Sequence, residues 1–333
     1  MNDAPTPGTV LAAAEQAANR LSQHLNHTPL LEFRDLNDLA GGRVLLKPEN
    51  LQRSGSFKIR GALNALDDCL DEARSKGVVA WSSGNHAQGV ALAARIREVD
   101  AHIVMPHDAP PAKRLATEAL GARVIGYDRY TENRETIARA LATKLGAPLI
   151  PSYDHPSVIA GQATIGLEIY ADPKLRDTSA DQVLICCGGG GMTAGIGSVL
   201  SQRSPSTSIY AVEPAVADDT KRSLVAGHRV SIAATTRSVC DALLTPTPGE
   251  LTFPINQKIL SDVLTVSDDE ALFAVGFAFR QLGLAVEPGG AVALASILSG
   301  KINTRDRTTV ALLSGGNLDG EMLARGLAAF AKG

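Results

Sequence analysis

From Arg43 onward, short apolar runs rich in β-branched residues alternate with longer stretches of helical spacing. A strand, a crossover helix and a second strand running the same way form the parallel βαβ unit, so this order calls for an α/β fold. Strand-like runs fall at 44–46, 77–81, 102–105, 123–126, 147–150, 182–186, 208–212 and 309–313. Between them, 87–96 gathers Val90, Ala91, Ala94 and Ile96 on one face, and 112–120 runs up to Gly121, a residue suited to the left-handed turn after a helix. Three runs end in clusters of small residues: Ser82-Ser83-Gly84-Asn85, Gly188-Gly189-Gly190-Gly191 and Ser314-Gly315-Gly316-Asn317. Ligands of open α/β sheets bind beyond the carboxyl ends of strands, so the three clusters point to one shared crevice.

The 333 residues are 44% hydrophobic and 20% charged, enough for a sizeable core and too apolar for a disordered chain. No fixed-period repeat and no Pro, Gly or Ser linker occurs, so a second lobe is interleaved with the first rather than appended. Lys and Arg number 32 against 35 Asp and Glu, without blocks of one sign, and aromatics are only 4%. A nucleic-acid groove needs a basic stripe and stacking rings, so nucleic-acid binding is not expected. No stretch of 18 apolar residues occurs, and Met1, Asn2, Asp3, Ala4 and Pro5 lack the basic and apolar regions of a signal peptide. The expectation is a cytoplasmic protein with no membrane association. Four cysteines, with Cys186 and Cys187 adjacent and no CxxC, read as reduced thiols. Seven histidines include no HExxH pair, and neither a GxSxG elbow nor a Walker A loop is present.

The segment from Gln182 through the four glycines to Met192 and Ala194 reads strand, glycine turn, helix. Backbone N–H groups of such a turn converge on an anion, most simply a phosphate. Gly189, Gly191 and Ala194 also satisfy G-x-G-x-x-A, and the next strand-like run leads to Glu213, where a dinucleotide-binding domain holds a ribose. A nicotinamide-dependent oxidoreductase, a nucleotide-binding regulator and a plain packing turn all remain open on this motif. Elsewhere, Ser56-Phe57-Lys58-Ile59-Arg60-Gly61-Ala62 sets a lysine between an aromatic and small residues ahead of a helical stretch. Held on a packed element, that lysine is a Schiff-base nucleophile; left in solvent, it is an ordinary charge at a helix start.

Taken together, these segments resemble the fold type II pyridoxal-phosphate (PLP) enzymes, specifically the serine/threonine dehydratase and serine racemase family. The resemblance is carried by His27-Thr28-Pro29-Leu30, Lys47-Pro48-Glu49-Asn50-Leu51-Gln52, the Lys58 segment, Ser82 to His86 and Val158-Ile159-Ala160-Gly161-Gln162. It continues through Gly188 to Met192, Glu287-Pro288 and the Ser314 loop, in family order. It implies a tryptophan synthase β-subunit-like fold of two open, twisted, mostly parallel sheets with helices on both faces. A large cofactor-binding domain would comprise 1–76 and 155–333, and a small substrate-binding domain 77–154.

The resemblance also implies roles. Lys58 would bind PLP covalently and then act as base at Cα, with Phe57 beside the ring. Gly188, Gly189, Gly190, Gly191 and Met192 would cradle the phosphate, Asn85 would donate to the ring oxygen, and Ser314 would face the pyridine nitrogen. A hydroxyl there makes a weaker electron sink than a carboxylate, which favours β-elimination over transamination. Ser82, Ser83 and His86 belong to the loop that meets the substrate carboxylate. Ser83 either acts as a second acid/base on the far face or only holds that carboxylate. Arg134 either reaches a second carboxylate or is a solvated helix charge.

Glu213, Ala217 and Asp219 match a divalent-cation site suited to Mg²⁺ or Ca²⁺, against the plainer reading of an acidic turn. Departures from the family pattern lie at Ala242, which replaces a glycine, at Pro246 and Pro248, and at Gly289. The activity implied is dehydration and deamination of an L-β-hydroxy amino acid to a 2-oxo acid and ammonia, threonine or serine first. 3-Hydroxyaspartate or phenylserine dehydration and serine racemisation are the alternatives within the family, and a homodimer or homotetramer is the expected assembly.

Overall fold

The computed structural model describes residues 4–233 and 235–332, so Met1, Asn2 and Asp3, part of the no-leader reading, lie outside it. Nine strands are found among the described residues: β1 (Leu31–Glu32), β2 (Arg43–Pro48), β3 (Val78–Trp81), β4 (Ala101–Pro106), β5 (Arg123–Tyr127), β6 (Gln182–Cys186), β7 (Ser208–Pro214), β8 (Asp262–Val266) and β9 (Thr308–Leu313). They form a six-stranded sheet in the order β1-β2-β9-β6-β7-β8 and a three-stranded sheet in the order β3-β4-β5. Every pairing is parallel except β1 with β2. The expectation of two mostly parallel sheets in an α/β fold is met.

The run at 147–150 is not a strand. It makes one isolated parallel bridge, Val79 with Leu149, closed by hydrogen bonds from Val79 N to Pro148 O and from Ile150 N to Val79 O. Pro148 and Pro151 flank the bridge and have no N–H to extend a ladder. β1 and β8 carry no clear sequence signal: β1 is two residues long, and β8 is buried only at Val263 and Val266.

The core lies in two main apolar clusters. One surrounds the larger sheet and includes Leu45, Val183, Leu184, Val292, Val310 and Leu312. The other joins the smaller sheet, through Val78, Ala80, Ile103 and Met105, to Ile59, Leu63 and Leu66 of the helix Lys58–Asp68. The helix that starts at Lys58 therefore packs with the smaller sheet while its N-terminus is tied to the larger one. Ser56 pairs with Gly315, and Phe57 N donates to Ser314 O at 3.1 Å. No helix among the described residues is long and apolar enough to cross a membrane.

Candidate active site

β6 and β9 pair side by side, so the glycine loop after one strand and the Ser314 loop after the other share an edge of the larger sheet. The loop from Ser82 to Gly84 leaves β3 of the smaller sheet and runs into the helix Asn85–Arg97. Lys58 begins the helix Lys58–Asp68 and is half-buried. Its Nζ lies 5.0 Å from the centre of the Phe57 ring and donates to the carbonyl of Ser152 at 2.8 Å. Burial pulls its ammonium down to about 8, partly opposed by the charge of Glu287. At pH 7 roughly a tenth of such an amine is free base, far more than for a solvated lysine. Lys58 is thus packed rather than left as a solvated charge at a helix start.

The glycine loop is a cradle that side chains would fill. A Cβ on Gly189 would lie 2.4 Å from the Tyr153 ring, and Gly190 has φ +86, in the left-handed region. Thr252 Oγ1 donates to Gly189 O at 2.7 Å, and Asn256 Nδ2 donates to Gly190 O at 3.3 Å. Two loop carbonyls are thus held from the helix Thr252–Ile259. The helix Gly191–Arg203 opens without a side-chain cap, so its first-turn N–H groups are available to an anion. These features fit a phosphate, and with the Lys58 amine they fit PLP.

Asn85 is buried; its Nδ2 donates to Glu287 Oε1, and its Oδ1 accepts from Asn317 Nδ2 at 2.8 Å. Ser314 is buried beside Cys186, and its N donates to Gly290 O at 3.3 Å. Ser82 Oγ accepts from Gly84 N at 3.2 Å, and nothing lies within 4 Å of a Cβ built on Gly84, so this loop faces open space. The Nε2 of His86 bonds to Ile150 O at 2.8 Å. Burial and then the Lys58 charge push His86 down to about 3, so its ring is neutral and donates this bond.

Arg134 is exposed at the start of the helix Arg134–Leu145, yet its charge bears on the Tyr153 phenol, which burial raises. Neither Tyr153 nor Ser152 carries a signal in the sequence. Both lie between Ile150 and the helix Pro156–Ala171, whose Val158 to Gln162 segment does.

Glu213, at the end of β7, is fully enclosed and accepts from the N–H groups of Thr220 and Lys221, both at 3.1 Å. Its carboxylate is therefore withdrawn from any ribose, which removes the dinucleotide reading. Asp219 is also enclosed, and neither of its carboxylate oxygens has a hydrogen-bond partner. Burial pushes Glu213 up to about 8, helped by Asp219, and Asp219 up to about 7. Ala217 is buried in the turn between them. Among the described residues no three His, Cys, Asp or Glu side chains cluster as a metal site.

A half-buried lysine and a glycine turn between a parallel strand and a helix are features of a phosphate-cofactor α/β enzyme. The family model described as "Pyridoxal-phosphate dependent enzyme" matches residues 21–315, and the chain belongs to that family. It is 42% identical over 315 residues to an L-threo-3-hydroxyaspartate ammonia-lyase of Saccharomyces cerevisiae, covering 95% of this chain and 94% of the relative. Identity to an enzyme of the same name from Pseudomonas sp is 44% over 311 residues, 93% of this chain and 95% of the relative. Among solved structures, a threonine deaminase from T.th. superposes with a TM-score of 0.86 at 42% identity, covering 95% of this chain and 99% of that one.

Proposed function

We propose that the chain eliminates water and then ammonia from an L-β-hydroxy amino acid, giving a 2-oxo acid. The observation that carries this reading is the half-buried Lys58 amine, held at 2.8 Å by the Ser152 carbonyl beside the glycine cradle. PLP, when bound, supplies the electron sink that stabilises negative charge at the substrate Cα. Lys58 holds the cofactor covalently and afterwards takes the Cα proton, a task suited to an amine whose proton affinity burial has lowered. The β-hydroxyl would leave as water, carrying off a proton equivalent to the one Lys58 takes from Cα, and the released enamine would take up water and lose ammonia.

Phe57, Asn85, Ser314 and Gly188 to Met192 hold the cofactor. Ser314 offers a hydroxyl rather than a carboxylate, which keeps the sink weak and favours expulsion of the β-substituent. Ser82, Ser83 and the backbone N–H groups near His86 receive the substrate carboxylate. The neutral His86 ring braces this loop against Ile150 and adds no charge. Ser83 stands as the group on the face opposite the lysine. Residues 77–154 act as the substrate-side lobe, and 1–76 with 155–333 as the cofactor side.

Threonine and serine satisfy this machinery. A second reading, L-threo-3-hydroxyaspartate, is favoured by Arg134, whose charge reaches the Tyr153 ring over the cradle, and by the names of two ammonia-lyase relatives. A second carboxylate needs a cation, whereas a methyl group in an apolar pocket contributes only about 1–3 kcal/mol of discrimination. Measuring kcat/KM for L-threonine, L-serine and both 3-hydroxyaspartate diastereomers decides between them. A preference for the dicarboxylate that vanishes in Arg134→Ala selects the second reading; a preference for threonine or serine unaffected by that change selects the first.

The same reading includes a Mg²⁺ or Ca²⁺ ion at Glu213, Ala217 O and Asp219, supported by two enclosed carboxylates and the unpartnered oxygens of Asp219. Added Mg²⁺ or Ca²⁺ should raise the Tm and chelator lower it, with no response in Glu213→Gln. A cytoplasmic homodimer or homotetramer completes it; the cytoplasmic part is supported by four free cysteines, three of them buried.

A further inference from the structure

Glu287 belongs to a motif of the family resemblance that carries no assigned role. It precedes the helix Pro288–Leu298 and is fixed by its own backbone: its N donates to Gly315 O at 3.0 Å, while its O accepts from Gly290 N at 2.9 Å and Ala291 N at 3.0 Å. The side chain turns inward and is 5% exposed. Its carboxylate and the Asn85 amide both pack on Gly315, where a Cβ would lie 2.2 Å from Glu287 Oε1 and 3.0 Å from Asn85 Nδ2.

This packing fixes the Asn85 amide. Its oxygen accepts from Asn317 Nδ2, which also donates to Ser54 O at 2.9 Å, and one of its N–H bonds goes to Glu287. A flipped amide would set oxygen against the Glu287 oxygen and N–H against the Asn317 N–H, losing both bonds. One N–H remains, on the end that Glu287 selects. The carboxylate's charge also acts on the Lys58 amine, and among the described residues no other carboxylate does. Asp241, the other carboxylate near Glu287, is paired with Lys113 at 2.7 Å.

We propose that Glu287 is a positioning residue acting through Asn85: it directs the amide's free N–H to the cofactor and keeps a negative charge opposite the Lys58 nitrogen. This inference rests on the PLP reading of Lys58. Burial, together with Asp241, raises the Glu287 carboxyl to about 7 against the opposing pull of Asn85, Lys113 and Lys58. The Lys58 ammonium, lowered by burial, is held up in turn by the Glu287 charge. Removing that charge must make the amine easier to deprotonate.

The test is Glu287→Gln, which can still accept from Asn85 but carries no charge. In the PLP-loaded protein, near-visible absorbance is titrated from about pH 6 to 10. In the cofactor-free protein, trace acetylation of Lys58 is followed over the same range by peptide mass spectrometry. Both midpoints should fall by about one pH unit. Glu287→Asp keeps the charge but shortens the reach to Asn85; its free-amine midpoint should stay near the parent's while PLP binds at least fivefold more weakly. An unchanged Glu287→Gln midpoint in either form, or undiminished PLP binding in Glu287→Asp, overturns the proposal. Borohydride reduction and peptide mapping separate the two failures. If reduced PLP is found on a lysine other than Lys58, the PLP reading of that residue falls; if it is on Lys58 with midpoints unmoved, only the role of Glu287 falls. Should Glu287→Gln not fold, Glu287→Asp is decisive by the same two measurements.

Discussion

Arg60 Nε donates to Glu49 Oε2 at 2.8 Å while its Nη2 donates to Glu49 Oε1, also at 2.8 Å, and neither side chain is more than 1% exposed. Arg60 Nη1 also reaches Glu168 Oε1 at 2.7 Å, and Lys47 closes the network on Glu168. Burial alone would raise Glu168, but the two cations outweigh it and hold the carboxyl at about 2. The network joins the end of β2 and the helix Pro156–Ala171 to the helix that begins at Lys58.

Removing Arg60 leaves the enclosed Glu49 carboxylate without its cation and Glu168 with Lys47 alone, which is far more damaging than the loss of an exposed pair. Arg60→Met should lower stability by about 3–5 kcal/mol, measured by urea unfolding. Adding Glu49→Gln and Glu168→Gln should recover part of that loss, because the carboxylates no longer need a cation. If the triple variant is no more stable than Arg60→Met, lost packing rather than stranded charge is the cause.

His86 is neutral in the folded protein down to about pH 3, whereas an unfolded histidine protonates near its ordinary value of 6.5. Between these pH values the unfolded chain binds one more proton, so the native state loses about 1.4 kcal/mol per unit as pH falls. His86→Gln removes that proton. The stability difference between parent and variant, from urea midpoints at pH 6, 5 and 4, should shift steadily against the parent with acid. A constant difference would mean that the ring is not held neutral.

An alanine at Gly189 would push its methyl to within 2.4 Å of the Tyr153 ring. Gly189→Ala should weaken PLP binding more than tenfold, read from equilibrium dialysis, because the loop or the ring must move. Adding Tyr153→Ala relieves the clash, so the double variant should bind PLP more tightly than Gly189→Ala alone.

Lys58→Ala should reduce turnover by at least about a thousandfold and abolish the borohydride-fixed cofactor. The Tm measured without PLP should change little beyond the loss of packing by one side chain. Turnover that survives in this variant would place the reactive amine elsewhere.

Much of the site was legible because some roles leave few residue choices. A glycine cradle requires consecutive glycines, a covalent cofactor requires a lysine on a packed element, and both stand in the sequence with their strand and helix context. Other contributions leave no such mark. The group that holds Lys58 is the Ser152 carbonyl, a backbone atom that any residue could supply. Glu287 and Asn85 are 202 positions apart, and neither implies the other until two sheets bring them together. The run at 147–150 has the apolar composition of a strand but contains Pro148 and is followed by Pro151, so hydrogen-bond geometry overrides propensity.

By itself the sequence determined the α/β order, the family and the residues proposed to bear the chemistry, because period-two and helical patterning and turn glycines are local properties. Only the tertiary structure decided their electrostatics. Burial lowers the Lys58 ammonium, neutralises His86 and withdraws Glu213 from solvent, and burial depends on which side chains from distant segments exclude water from each group. The direction of the Asn85 amide was decided at the same level, since it needs Asn317 and Glu287 on opposite ends of one side chain.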